Sequence, residues 1–259
     1  MPSWFPGTHY ATVARSHLET AQRLNDTPIA FVRERMTEKN YANCFASELL
    51  QEMDDGHPEA LSLNEIKRAA AAIFGAGEDS TFASLLTFYL VMVLDPECQK
   101  RAYDEIVTVV GENSLPDLKD RESLPYVECI VQEVVRWNVI APFSVPHRAI
   151  NDDYFNGMFI PKGSMILPNA RGMSIDENVY SNPKTFNPSR FLPQPQGKGE
   201  PHFTAAWGFG RRICPGRHLA SLVLWHAIAC TLAVLEIVPK TDEMGKPVLP
   251  EVGFSEGLI

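Results

Sequence analysis

Apolar residues fall at helical spacing along this chain up to about Trp137, and alternate for a shorter stretch beyond it. Val127, Ile130, Val131, Val134 and Val135 stand at i, i+3, i+4, i+7 and i+8, which lays one buried stripe along a helix over 124–137. Residues 8–37 read as a long, amphipathic, polar-rich helix, and 43–53 as a shorter one that ends before the loop 54–59. Ser62-Leu63-Asn64-Glu65 is a capping box. The helix it opens runs to Leu94, where Asp95-Pro96 stops it. Asp95 caps the next helix, with Pro96 at its first position and Gly111 at its end. Past Trp137, residues 147–169 alternate and carry Asn156-Gly157, a strong hairpin signal, then a second turn at Pro161-Lys162-Gly163. Residues 182–201 are proline-rich, irregular and packed. A last apolar helix covers 215–234, and Pro239, Gly245, Pro247 and Pro250 then mark short strands and turns. No internal repeat is visible. The pattern gives a mainly α fold with a small β region.

Composition narrows the function. With 259 residues, 45% of them hydrophobic and 21% charged, the chain is an ordinary globular sequence with a sizeable core. A net charge of −9 argues against general nucleic-acid binding, which draws most of its affinity from a basic surface. Five cysteines, at wide spacings and with no C-x-x-C pair, argue against a disulfide framework or a zinc site. Cys44, Cys98, Cys129 and Cys230 are expected to be small buried apolar residues. The N-terminal stretch has no apolar signal-peptide core. Residues 69–94 are long enough to span a bilayer. Glu78 and Asp79 stand at their centre, and an acid there costs about 2.5–3.5 kcal/mol, so no transmembrane segment is expected.

Cys214 has a different setting. Gly208, Gly210, Gly216, Arg211, Arg212 and Arg217 surround it, just before Pro215 and the last helix. Cations and helix N-terminal amides stabilise a thiolate, and glycines let a flat group approach the backbone. A thiolate beside a flat anionic macrocycle is the pattern of heme with a cysteine axial ligand. Arg212 suits a propionate, which arginine grips bidentately. The competing reading is a turn with an inert cysteine.

In WGFGRRICPG, residues 207–216, Gly210, Arg212, Cys214 and Gly216 match F-x-x-G-x-R-x-C-x-G. The stretch resembles the heme-binding signature of the cytochrome P450 monooxygenases, with Trp207 where the signature opens on phenylalanine. Glu133 and Arg136 match the family's E-x-x-R helix, and residues 186–191, FNPSRF, its F-x-P-x-R-F motif. Ala76, Gly77 and Asp79 match its A-G-x-D-T pattern, with Ser80 where threonine is usual and Thr81 following. Ser80 keeps a hydroxyl but lacks the β-methyl that stiffens threonine.

The resemblance implies the C-terminal part of the cytochrome P450 fold, a partial heme-thiolate domain over 1–259, with the N-terminal elements of the family fold absent. It implies heme b ligated by Cys214 and lined by Ala76, Gly77, Trp207, Gly208, Arg212 and Gly216. His147 is expected on a propionate, with Arg148 as the alternative. Asp79 with Ser80 or Thr81 would deliver protons to bound dioxygen. Glu133, Arg136 and Arg190 would form a buried structural triad. The implied activity is O2 activation and hydroxylation of a hydrophobic organic substrate, with electrons from NADPH through a separate reductase docking near Arg211 and Arg217. A truncated, non-catalytic heme-domain fragment is the alternative, and a plain helical scaffold a third reading. Full-length relatives commonly sit on the endoplasmic-reticulum membrane, although no anchor or signal is evident in this sequence. The motif region is similar to that of fungal members.

Overall fold

The computed structural model describes residues 9–38 and 41–253, and the side chains from Val13 onward. Two compact units divide the chain, Met1–Glu78 and Asp79–Ile259.

The first unit holds α1 (His9–Ser16), α2 (Leu18–Thr37), α3 (Phe45–Asp54) and the start of α4 (Leu63–Leu94). The sequence predicts one helix over 8–37. Thr8 lies outside the described residues, and the remainder is broken at His17. There Ser16 Oγ and His17 Nδ1 both reach the carbonyl oxygen of Val13, at 2.8 and 2.9 Å. Such local side-chain bonds compete with the helical ladder. Ile29, Ala46, Leu50 and Ile66 make this unit's core. The capping box forms as expected: Ser62 N–H donates to Glu65 Oε2 at 2.9 Å, and Glu65 N–H to Ser62 Oγ at 3.4 Å.

In the second unit the later part of α4 is followed by α5 (Pro96–Val110), α6 (Pro125–Trp137), α7 (Ala170–Ser174) and α8 (Arg217–Val234). Asp95 caps α5 by accepting the N–H of Cys98 at 3.0 Å. The apolar stripe of α6 is buried from Val127 to Val134, with Val135 half-buried, and α6 packs on α8 and on the 3-10 turn Pro188–Phe191. Phe88, Met92, Ile106, Leu124, Ile130, Leu224, Trp225 and Ile228 lie at the centre of the core. Leu124 has no side-chain oxygen with which to cap α6. Glu105 on α5 does so instead, its carboxylate accepting the N–H groups of Tyr126 and Val127 at 2.9 and 3.0 Å. Burial raises the Glu105 carboxyl above its usual range, against the pull of those two bonds.

The β content is three antiparallel pairs. β1 (His147–Arg148) pairs with β4 (Met165–Ile166), β2 (Asp153–Phe155) with β3 (Met158–Ile160) across the Asn156-Gly157 turn, and β5 (Lys240–Thr241) with β6 (Pro247–Val248). Gln99 ties the C-terminal region to α5. Its side-chain amide donates to the Ile237 carbonyl at 3.1 Å and accepts the Ile237 N–H at 2.7 Å.

The chain is mainly α, as the pattern predicts. Two further expectations need correction. α8 starts at Arg217, since Pro215 and Gly216 form the turn before it. Cys44 is exposed at the start of α3, and Cys230 is only half-buried; Cys98 and Cys129 alone are buried cysteines. Among the described residues α8 is long and apolar enough to cross a membrane by length and composition, and α4 with α5 would pass the same test as a pair bent by 105°. α8 nevertheless buries Leu224, Trp225, Ile228, Ala229 and Leu232 in the core against α5 and α6.

Candidate functional site

Two short 3-10 turns, Thr204–Trp207 and Gly210–Arg212, build the loop that carries Cys214. Gly208 and Gly210 stand at φ +81° and +56°, a region that L side chains rarely enter. The chain thereby turns back on itself, and the Cys214 N–H donates to the Trp207 carbonyl at 2.7 Å. On the other side Arg217, the first residue of α8, reaches the Cys214 carbonyl through Nη1 at 3.3 Å. Cys214 itself is partly exposed. A Cβ at Gly210 would meet nothing within 4 Å, and one at Gly216 would lie 3.8 Å from the Cys214 sulfur. Arg211 and Arg212 are exposed. Neither they nor Arg217 enters an ion pair among the described residues. A partly exposed soft ligand, two exposed guanidinium groups outside any ion pair and an open glycine fit the iron and the carboxylates of a heme. Trp207, Gly208, Arg212, Cys214 and Gly216 are thus brought together in one loop.

Glu133, Arg136 and Arg190 also meet, fully buried. Arg136 grips Glu133 bidentately, Nε to Oε2 at 2.7 Å and Nη2 to Oε1 at 2.8 Å. Arg190 Nε approaches both oxygens, and the Asn187 N–H donates to Oε1 at 2.9 Å. The Arg136 guanidinium lies 5.2 Å from the Tyr180 ring centroid. The residue that sequence reasoning missed is Glu200, whose Oε2 accepts from Arg190 Nη1 at 2.7 Å. Burial works to raise the Glu200 carboxyl, but hydrogen bonds from Ser181 and Arg190 outweigh it and hold the group below its ordinary range. Glu200 belongs to no motif. The one available signal was charge arithmetic: a single acid between two arginines leaves a buried cation unbalanced.

α4 runs without interruption through Ala76, Gly77, Asp79, Ser80 and Thr81. A Cβ at Gly75 or Gly77 would meet nothing within 4 Å. In the second unit Asp79 is exposed, and Ser80 and Thr81 are half-buried. The Ser80 carbonyl accepts from Ser84 Oγ at 2.9 Å, and Thr87 Oγ1 accepts from Asn138 Nδ2 at 2.8 Å. Ser80, Ser84 and Thr87 share one face of the helix by their spacing, and Thr87 meets Asn138 at the end of α6. His147 opens β1 opposite Ile166, half-buried, and Arg148 beside it is exposed. No hydrogen bond or ion pair among the described residues joins His147 or Asp79 to the Cys214 loop.

Comparison with known proteins gives the same answer throughout. The family model described as Cytochrome P450 matches residues 2–256. Cytochrome P450 monooxygenase claR of Ampulloclitocybe clavipes is 41% identical over all of this chain and 48% of its own length. A cytochrome P450 monooxygenase of Armillaria gallica is 36% identical over all of this chain and 51% of its own. Cytochrome P450 monooxygenase ppsD of Aspergillus oryzae is 36% identical over all of this chain and 49% of its own. The chain spans about half the length of these curated relatives.

Proposed function

Because the chain belongs to the cytochrome P450 family, we propose that Cys214 binds heme iron as its thiolate and that the chain is part of a monooxygenase acting on a hydrophobic organic compound. The observation that carries this reading is the Cys214 loop. Cys214 is partly exposed, its backbone is held at both ends, and Arg211 and Arg212 enter no ion pair among the described residues. Heme, when bound, supplies O2 activation and oxygen insertion into a C–H bond.

The chain's own residues have separate tasks. Cys214 supplies the electron-rich ligand. Arg212 would hold a propionate, and His147, with Arg148 as the alternative, would also serve a propionate. Trp207, Gly208 and Gly216 shape the loop around the sulfur, while Ala76 and Gly77 give α4 a surface with no bulky side chain. Asp79, with Ser80 Oγ or Thr81 Oγ1, would serve proton delivery once heme and dioxygen are bound. Glu133, Arg136 and Arg190 are architecture and touch no substrate. Electrons come from NADPH through a separate reductase, which docks where Arg211 and Arg217 stand out from an acidic chain; such steering weakens with salt.

The test is titration of the chain with heme, followed by reduction and CO. A thiolate-type Soret band that Cys214→Ser abolishes is the expected result. A band unchanged in that variant would remove Cys214 from the role.

A further inference from the structure

Each arginine on Glu133 also makes a second connection. Arg136 Nη1 donates to the carbonyl of Ser174 at 2.6 Å. Ser174 ends α7, and α7 packs against the turn Thr204–Trp207. Arg190 Nη1 donates to Glu200 Oε2 at 2.7 Å and to the Ser181 carbonyl at 2.8 Å. Glu200 is held by its backbone too, its N–H donating to the Arg190 carbonyl at 2.9 Å. Ser181 completes the clamp, donating to Glu200 Oε1 through both its N–H and its hydroxyl. The turn Thr204–Trp207 begins four residues after Glu200, and the Trp207 carbonyl holds the Cys214 N–H. Both arms of the network therefore end on residues 200–207, the run that leads into the Cys214 loop.

Charge gives this geometry its weight. Glu133 with Arg136 and Arg190 alone would bury two cations against one anion, and an uncompensated buried charge is strongly unfavourable. Glu200 balances the group, with only 9% of its side chain exposed. We infer that Glu200 is a positioning residue for the Cys214 loop: its carboxylate neutralises Arg190 and fixes the point from which residues 200–207 carry Trp207 to Cys214. The functional weight of this role rests on the reading of Cys214 as the iron ligand.

Hydrogen–deuterium exchange on the whole chain, without heme, tests the role. Glu200→Gln keeps the size of the side chain and an oxygen for Ser181, but its amide nitrogen meets Arg190 Nη1 donor to donor. Amides of 203–214 should exchange about tenfold faster, which is about 1.4 kcal/mol of opening free energy, while α5 and α8 keep their rates. Glu200→Asp retains the charge and should recover part of the protection. Ser181→Ala, a milder probe, should give the same local pattern at smaller amplitude. Unchanged exchange over 203–214, or equal acceleration in α5 and α8 with both Glu200→Gln and Ser181→Ala, overturns the inference. Local acceleration together with an unaltered heme spectrum in Cys214→Ser would refute the ligand reading and leave the positioning role standing.

Discussion

Arg190 Nε donates to both carboxylate oxygens of Glu133, at 3.0 and 3.1 Å, across 57 residues of sequence. Neither side chain is accessible to water, so removing one partner strands the other as a buried charge. Arg190→Leu or Glu133→Gln should cost about 3–5 kcal/mol in urea unfolding of the chain. Arg190→Lys should recover little, because one ammonium cannot serve Glu133, Glu200 and the carbonyls of Ser181 and Thr185 together. A loss below about 1 kcal/mol in the leucine variant, the size of a surface pair, would contradict the burial.

Glu200 gives the stability a pH dependence of definite sign. Its carboxyl titrates below the ordinary glutamate value in the folded chain, so the folded state favours the ionised form. The resulting stabilisation is complete above the unfolded-state value and is lost as pH falls through the lower, folded-state value. Unfolding free energies of the chain and of Glu200→Gln should therefore differ most near neutral pH and converge in acid. A difference that stayed constant below the usual glutamate range would be incompatible with the ion pair.

Glycines in the two motifs should respond oppositely to alanine. Gly208 stands at φ +81°, where a Cβ is strained, and Gly208→Ala should destabilise by about 1–3 kcal/mol. Gly77 is helical with open space beside it, so Gly77→Ala should stabilise the heme-free chain by about 0.5–1 kcal/mol. Thermal unfolding of the two variants reads both effects.

Thiol labelling should sort four of the five cysteines into two sets. Burial pushes Cys98 and Cys129 each up to about 12, so they stay unlabelled until the chain unfolds. Cys44 is exposed. What burial it has works to raise its thiol, but hydrogen bonds from Ser47 outweigh this and leave it below the usual value. Cys44 should react first in the native protein, with the partly exposed Cys214 also accessible and protected once heme is bound. Early modification of Cys98 would contradict the packing of α5.

Ser80 bears on the coupling of electrons to product. Serine samples more rotamers than threonine at this position. Ser80→Thr in a complete enzyme carrying this sequence should raise the product formed per NADPH consumed. If neither that variant nor Thr81→Ala alters the ratio, proton delivery does not pass through either hydroxyl.

Local chemistry was legible in the sequence, and long-range chemistry only where a motif recorded it. The stripe from Val127 to Val135, the Ser62–Glu65 box and the Asp95 cap all depend on neighbours within one or two turns, and each formed. Glu133, Arg136 and Arg190 were readable as a set through the family resemblance. Glu200 and Glu105 were not, because a carboxylate that serves a distant backbone or guanidinium has no local spacing to betray it. The break at His17 escaped for a related reason. Helical periodicity continues across it, and the competition for the Val13 carbonyl is decided by side-chain hydrogen bonds that leave the apolar pattern unchanged.

The clamp between Gln99 and Ile237 sets a schedule for biosynthesis. The two residues lie 138 positions apart. At roughly 5–20 residues per second of translation, the amide of Gln99 emerges about 7–28 s before the backbone it will hold. α5 waits nearly as long for α8, and α6 about two-thirds as long, before that helix packs on them. A nascent chain with its central helices uncovered for that interval is a ready client for a ribosome-associated chaperone, and expression should depend more on that protection than on the final stability of the fold.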